Sequence, residues 1–385
     1  MFALRGQSSR AFVVRVALVV VVTGLAVAVG APAGTAREAG DHEVWSAVFS
    51  PNGRLVLTGS HDGRARIWDA ASGRLLHTLR HTDMVNSAVF SPDGKQVATA
   101  SMDKTARIWD VASGRLLHTL RHTDMVWSAA FSPNGKLVVT ASEDKTARIW
   151  DAGSGRLLRT LKGHTALVGS AVVSPDGRWV VTGSDDGSAR IWDAGSGRPL
   201  HILRHGYLEV NDAVFSPNGK LIVTAGGYGA GLEGKEEGMA RIWDAASGRL
   251  LHRLPVGETG YVFTAAFSPN GRLVVTPNGD RRARIWDVVS GRLLRTLKGH
   301  RSWVGSAVFS PDGKWVVTAS EDHTARTWDA ASGVSLRSLK GHTDVVNSAV
   351  FSPDGKRVVT AGWDDTARLW DVARGRSLYI LRYAR

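Results

Sequence analysis

The chain has 385 residues, and 43% hydrophobic residues with 43 glycines and 14 tryptophans indicate a β-rich protein with many tight turns, not a helical bundle or a disordered chain. The absence of cysteine excludes disulfides, thiolate metal sites, a cysteine nucleophile and an acylated cysteine. Lysine and arginine outnumber acidic residues by 48 to 35, which makes nucleic acid or anionic lipid a candidate partner. The distribution of the basic residues along the chain decides whether this candidate is kept.

The N-terminus has the pattern of an export signal. Three arginines precede an uncharged, almost wholly apolar stretch at residues 16–31, and Ala31-Pro32-Ala33 offers a small-x-small cleavage pattern. We predict a signal peptide or signal-anchor helix within residues 1–36, followed by one repeat domain at 37–385. Cleavage and retention as a membrane anchor both stay open. Either way, the flanking positive charge predicts that the rest of the chain lies outside the cytoplasm.

The remainder of the chain is an internal repeat marked by Trp-Asp pairs. Their tryptophans recur every 41 to 43 residues, with one interval of 51, at Trp68, Trp109, Trp150, Trp192, Trp243, Trp286, Trp328 and Trp370. Each unit holds four short β-branched runs separated by turn sequences, the first of which is Ser-Pro-Asp/Asn-Gly. Four antiparallel strands cannot bury both faces alone, so the units are expected to stack in a ring.

This repeat resembles that of the WD40 family, whose period is about 40 to 45 residues. The resemblance implies an all-β fold, an eight-bladed β-propeller of four-stranded antiparallel blades. Seven closed blades plus an extra unit is the less favoured alternative. The last unit contains its own outermost strand up to Leu381, so no strand remains for the terminal strand exchange that closes the ring in many family members. The closure beside blade 1 is therefore an open question.

The resemblance also implies a hydrogen-bonded set of four side chains in each blade, here called a tetrad. Five units carry all four members: His81, Thr99, Asp103, Trp109; His122, Thr140, Asp144, Trp150; His164, Thr182, Asp186, Trp192; His300, Thr318, Asp322, Trp328; and His342, Thr360, Asp364, Trp370. A His-Thr-Asp group resembles a hydrolase triad, but fivefold repetition beside a tryptophan favours a structural role. Three blades depart from this pattern. In blade 1, His42 lies two residues closer to its strand than the other histidines do. Glu237 replaces the Asp in blade 5, and Glu258 replaces the His in blade 6.

The basic residues are periodic too. Arginine stands two residues before every Trp-Asp tryptophan, and charge spread evenly around a ring is typical of a solvated face. Specific nucleic-acid binding is therefore disfavoured. The insertion at 226–238 mimics nucleotide-binding motifs but does not lie in a βαβ unit, which predicts a flap rather than a phosphate site. We predict no catalytic residue, no metal site and no cofactor.

The repeats differ mainly at three positions. The resemblance places them on one face: two alternate residues opening the innermost strand, which share a side of the strand, and the residue before the tetrad Asp. Aromatic residues and methionine, which protein-binding patches enrich, collect there. These candidate partner-binding residues are Trp45, Met84, Met102, Met125, Trp127, Tyr261, Phe263, Trp303 and Trp363.

The sequence thus favours a non-catalytic scaffold that binds a protein or peptide on this face, outside the cytoplasm. Binding of cell-envelope glycan is the alternative, because aromatic platforms also bind sugars. A propeller redox enzyme is less favoured, because convergent channel charges or metal ligands are not recognisable in the sequence. Membrane contact is expected only through an uncleaved N-terminal segment.

Overall fold

The computed structural model describes residues 20–22, 25–27, 42–206, 209–227, 239–255 and 261–383. Its main body consists of eight four-stranded antiparallel sheets, and each sheet is built from one continuous stretch of chain. The predicted eight-bladed all-β propeller is confirmed, and among the described strands none is exchanged between the last blade and the first.

Every strand of the eight blades has six or seven residues, except the innermost strand of blade 6, which has two. The innermost strands are Val44–Phe49, Val85–Phe90, Val126–Phe131, Val168–Val173, Glu209–Phe215, Ala266–Phe267, Val304–Phe309 and Val346–Phe351. The second strands are Leu55–Ser60, Gln96–Ser101, Leu137–Ser142, Trp179–Ser184, Leu221–Gly227, Leu273–Asn278, Trp315–Ser320 and Arg357–Gly362. The third strands are Arg64–Asp69, Thr105–Asp110, Thr146–Asp151, Ser188–Asp193, Met239–Asp244, Arg282–Asp287, Thr324–Asp329 and Thr366–Asp371. The outermost strands are Leu75–Arg80, Leu116–Arg121, Leu157–Lys162, Pro199–Arg204, Leu250–Pro255, Leu293–Lys298, Ser335–Lys340 and Arg376–Arg382.

Turn chemistry separates the strands at fixed points. In the Ser-Pro-Asp-Gly turn of blade 2, Gly94 adopts a left-handed backbone with φ of 70°, which glycine tolerates without steric strain. Ser91 Oγ donates to Asp93 Oδ1 at 2.6 Å, and the backbone N–H of Gln96 donates to Ser91 Oγ at 2.9 Å. The turn therefore satisfies its own polar groups and starts the second strand in register.

Apolar side chains of neighbouring blades form the core. One cluster joins Leu57 and Ile67 of blade 1 to Val85 and Trp109 of blade 2. The innermost strand Val85–Phe90 is buried at all six positions, so both of its faces are covered and buried residues do not alternate with exposed ones. Each blade buries its faces only against its neighbours, which is why the ring must close.

A bulge interrupts the innermost strand in seven of the blades. In blade 2, Val85 pairs with Ser101 and Ser87 pairs with Ala100, so Asn86 is the extra residue. A bulged residue leaves the alternation of the strand, and its side chain is re-aimed. This irregularity decides where the second of the predicted face positions points.

Side-chain hydrogen bonds cross the seam between blades 8 and 1. Arg357 donates to the carbonyl oxygens of Ala70 at 2.9 Å and Gly53 at 2.8 Å. Asn347 Nδ2 donates to the carbonyl oxygen of Trp45 at 2.5 Å. Blade-to-blade contacts thus take the place of strand exchange.

Tyr383 completes this closure. It follows Leu381-Arg382 of blade 8 as His81 follows Leu79-Arg80 of blade 1, and it is buried. Its ring centroid lies 6.0 Å from that of Trp68 and 3.9 Å from the guanidinium carbon of Arg66. The C-terminal tyrosine therefore occupies, in blade 1, the place that histidine holds in other blades.

The N-terminal segment is described only in part. Val20–Val22 and Leu25–Val27 are short strands that pair antiparallel, an extended conformation that β-branched valines favour. The predicted helix is not shown, and the other residues of 1–36 lie outside the described part of the chain. Within the described residues, no helix has the length and apolar character needed to cross a membrane.

Candidate functional site

The tetrads form closed hydrogen-bond sets. In blade 2, His81 Nδ1 lies 2.8 Å from Asp103 Oδ2 and His81 Nε2 lies 2.7 Å from Thr99 Oγ1, while Trp109 Nε1 donates to the same hydroxyl at 2.9 Å. The corresponding distances lie between 2.7 and 2.9 Å in the other four complete sets, which are His122, Thr140, Asp144, Trp150; His164, Thr182, Asp186, Trp192; His300, Thr318, Asp322, Trp328; and His342, Thr360, Asp364, Trp370.

Burial and hydrogen bonding set the charge states in these sets. Burial alone would raise the pKa of Asp103, but hydrogen bonds from His81, Thr105 and the backbone hold the pKa well below its usual range. Burial also lowers the pKa of His81, which favours the neutral ring. The Thr99 hydroxyl is fully buried and already engaged by two partners. Such a hydroxyl cannot reach a substrate as a nucleophile, so the tetrad is structural.

Removing a tetrad hydroxyl should destabilise the fold. Thr140→Val leaves Trp150 Nε1 and His122 Nε2 buried without a partner, which costs about 2–3 kcal/mol of unfolding free energy. Urea unfolding followed by circular dichroism measures this loss. The control is Thr160→Val on the half-buried outermost strand of the same blade, which should change little. Equal unfolding midpoints for the two variants would contradict a structural tetrad.

The incomplete tetrads differ from one another. In blade 1, His42 Nδ1 lies 3.7 Å from Asp62 Oδ2 and makes no hydrogen bond with a described residue. His42 is therefore not the tetrad histidine, because Tyr383 fills that place. In blade 5, His205 Nε2 lies 2.6 Å from Thr224 Oγ1. Glu237 and Glu258 lie outside the described residues.

The periodic arginines do not form the solvated face that the sequence suggests. Six of them lie within 4 Å of the tetrad-position Asp four residues earlier, with side chains only 6 to 20% exposed: Arg66, Arg107, Arg148, Arg190, Arg284 and Arg368. Each Asp lies two residues before the third strand and the arginine is the third residue of that strand, so the arginine neutralises it there. The charge of these six arginines is therefore used inside the blades.

The nine predicted face residues differ in exposure. Trp303 is 41% exposed. Four are half-buried, namely Met102, Met125, Tyr261 and Trp363, and four are buried, namely Trp45, Met84, Trp127 and Phe263. The expectation that alternate residues point outward together is wrong for these four, and for Trp45 and Trp127 the strand bulge supplies the reason.

Seven of the nine face residues form two groups near the start of the innermost strands. The rings of Trp45 and Trp363 lie 5.6 Å apart, and Met84 and Met102 pack beside them. In the second group, the ring centroid of Phe263 lies 4.7 Å from that of Tyr261 and 6.1 Å from that of Trp303. Between the two groups lies a narrow cleft of about 20 Å³, here called the mouth cleft, lined by Phe263, Trp303, Gly305, Glu321, Val345, Val346, Asn347 and Trp363.

Polar groups around the mouth cleft are incompletely matched. The indole N–H groups of Trp363, which lines the cleft, and of Trp45 beside it are buried and have no hydrogen-bond partner among the described residues. Burial raises the pKa of Glu321, although Ser302 Oγ donates to its carboxylate at 3.2 Å. Burial, with Asp344 and Asp365 nearby, raises the pKa of Glu43 to about 7. The rim is thus acidic near the seam.

Comparison with known proteins identifies the family. Eight consecutive segments match the profile described as WD domain, G-beta repeat, at residues 36–69, 73–110, 114–151, 155–193, 197–244, 248–287, 291–329 and 333–371. The chain belongs to the WD40 family. WD40 propellers are scaffolds that typically mediate protein interactions.

A solved structure supports the same architecture. The crystal structure of the computationally designed Ika8 protein is 27% identical, with a TM-score of 0.75, over 87% of this chain and 98% of that one. No curated protein matches the chain.

Sequence reasoning missed the cleft of this WD40 propeller. Gly305 and Val345 are small at positions where blade 3 carries Trp127 and Met125, so space opens between the aromatic groups. Asn347 and Asn86 instead donate to the next blade's innermost strand and tie blades together. The small residues at these variable positions are the sequence feature that indicates the cleft.

Proposed function

We propose that this WD40 propeller is a non-catalytic scaffold that binds a protein or peptide partner at the mouth cleft, outside the cytoplasm. The observation that carries the proposal is Trp303, which is 41% exposed and borders a cleft walled by Phe263 and Trp363. An exposed tryptophan beside an apolar cleft can pack on a partner's side chain. Tryptophan is also the residue type most enriched among binding hot spots.

The free indole N–H of Trp363 supports the same site. It lines the cleft and has no acceptor among the described residues. A buried donor without a partner is unfavourable by about 1–3 kcal/mol, and the cleft, at about 20 Å³, has room for a single acceptor oxygen of a partner. The partner is therefore expected to lie over the exposed face of Trp303 and to reach the cleft with one polar group.

The location rests on the N-terminal sequence. The apolar stretch at 16–31 behind three arginines is typical of a signal or an anchor. Mass spectrometry of the mature N-terminus distinguishes cleavage near Ala33 from an uncleaved anchor. A full-length chain recovered from the soluble cytoplasmic fraction would contradict export.

Trp303→Ala should weaken partner binding without unfolding the protein. We expect at least tenfold weaker binding, because truncating a hot-spot tryptophan costs about 2 kcal/mol or more. Fluorescence polarisation with peptides selected from a displayed random library measures it. The control is Val334→Ala, which truncates a 58% exposed residue in a turn at the opposite end of the blade. Equal binding by both variants would exclude the mouth cleft, and glycan-array binding lost only in Trp303→Ala would favour the sugar alternative.

A further inference from the structure

A pocket with an excess of positive charge adjoins Trp303. This basic pocket has a volume of about 510 Å³ and lies between the second turn of blade 6 and the loop that enters blade 7. Its lining consists of Gly279, Asp280, Arg281, Arg282, Arg301, Ser302 and Trp303. Because Trp303 also lines the mouth cleft, a ligand can occupy both together.

Two of the arginines in the pocket are available to a ligand. Asp280 is neutralised by Arg284, at 2.5 Å, and Arg282 lies 3.6 Å from the same carboxylate. Arg281 and Arg301 are exposed and form no ion pair with any residue in the described ranges. The pocket therefore presents two unneutralised guanidinium groups beside an exposed indole.

The equivalent place between blades 2 and 3 shows what is different. There Lys104 Nζ lies 3.4 Å from Asp124 Oδ1, so the chain neutralises its own cation. In the sequence of repeats, Arg281 stands at the position of Lys104, and Ser302 stands at the position of Asp124. Arg301 adds a further cation where blade 3 has threonine. Blades 6 and 7 have thus lost the internal carboxylate and gained a charge.

We propose that the basic pocket receives the carboxylate side chains of an acidic segment of the protein partner, next to an apolar residue that packs on Trp303. A guanidinium presents a fork that matches a carboxylate, and the partner's carboxylate takes the place that Asp124 fills between blades 2 and 3. Two single charges match Arg281 and Arg301 one to one. This inference rests on the proposed function and specifies the chemistry of its partner.

The repeats supply substitutions that the fold tolerates. Arg281 has a left-handed backbone with φ of 68°, and blades 1 and 4 place Gly63 and Gly187 at that position. Arg301 stands where blades 2, 3, 4 and 8 have threonine. The double variant Arg281→Gly/Arg301→Thr therefore removes both charges with residues native to the scaffold. Lys104→Gly is the matched control, since it removes a cation at the same turn of another blade.

The test uses displayed peptide pools with fixed cores of Leu-Glu-Glu, Leu-Gln-Gln or Leu-phosphoserine between random flanks. The protein should bind the Leu-Glu-Glu pool roughly tenfold more tightly than the Leu-Gln-Gln pool at low salt, and less so at high salt. The double variant should lose this preference, and Lys104→Gly should keep it.

Three outcomes overturn the proposal: equal binding of the two pools, an unchanged preference in the double variant, or binding of the phosphoserine pool alone. Equal binding that Trp303→Ala abolishes would overturn only the acidic-partner inference and leave the proposed function standing. Failure of every pool to bind would overturn both.

Discussion

Tyr383→Ala should destabilise the propeller by about 3–5 kcal/mol, the usual range for truncating a large buried aromatic residue. The phenol is buried, packs on Trp68 and Arg66, and fills the tetrad place of blade 1. Burial raises the pKa of its hydroxyl, so it stays protonated, and the hydroxyl makes no hydrogen bond with a described residue. The other tetrads keep their histidine within the continuous chain between two blades, whereas this contact joins the two ends of the repeat.

Urea unfolding of Tyr383→Ala and hydrogen exchange of the same variant measure this effect. The amides of blades 1 and 8 should exchange faster while those of blades 3 and 4 keep their protection, because the seam opens first. Ile380→Ala, on the strand that ends just before Tyr383 and 39% exposed, is the matched control and should cost far less. Tyr383→His should recover part of the stability, since histidine holds this place elsewhere. A uniform loss of protection around the ring would contradict a closing role.

Asp212→Ser should stabilise the protein above neutral pH by up to about 4 kcal/mol. Asp212 is buried, and burial raises the pKa of its carboxyl to about 7. Oδ2 accepts a hydrogen bond from the backbone N–H of Ala265 at 3.3 Å, while Oδ1 has no partner among the described residues. Seven blades carry serine or threonine at this position, so a smaller hydroxyl fits the site.

Because of Asp212, the unfolding free energy of the native protein should fall as the pH rises. Below about pH 4 the carboxyl is protonated in both states and carries no penalty. As pH rises from about 4 to 7, the unfolded chain ionises while the folded one holds its proton, so the unfolding free energy falls. Denaturation across this range should show a clearly smaller decline in Asp212→Ser than in the native protein, the remainder coming from Glu43 and Glu321, whose pKa values are also raised. Asp124→Ser, an exposed control, should keep the decline, and a parallel decline in both variants would contradict the assignment to Asp212.

Repetition decided how much could be predicted from the sequence. A Trp-Asp pair, a Ser-Pro-Asp/Asn-Gly turn and a tetrad that recur at one spacing mark the blades and their strands, because each copy supports the others. The strand bulge has no such signature: Asn86 and Trp45 share one position, yet one ties blades together and the other packs under Trp363. Burial of the aromatic residues therefore could not be foreseen from alternation.

Single features were the hardest to interpret. Leu-Arg-Tyr383 at the C-terminus copies Leu-Arg-His81, but its meaning depends on which blade receives the side chain, and that is a property of the closed ring. The ion pairs of the periodic arginines likewise depend on a turn that folds each Asp back onto the third strand. An alignment of the repeats shows that Arg281 and Ser302 replace the pair Lys104 and Asp124. The pocket that these residues line is visible only in the structure.

The central claim is that a protein segment binds at the mouth cleft rather than at the opposite end of the propeller. That end offers a competing pocket of about 530 Å³ lined in part by Pro311, Trp315 and Pro353. Fluorine NMR of protein labelled with fluorotryptophan separates the two, once single tryptophan-to-phenylalanine variants assign the signals. On titration with a selected peptide, the signals of Trp303 and Trp363 should shift while those of Trp179 and Trp315 stay fixed. Shifts confined to Trp315 would contradict binding at the mouth cleft.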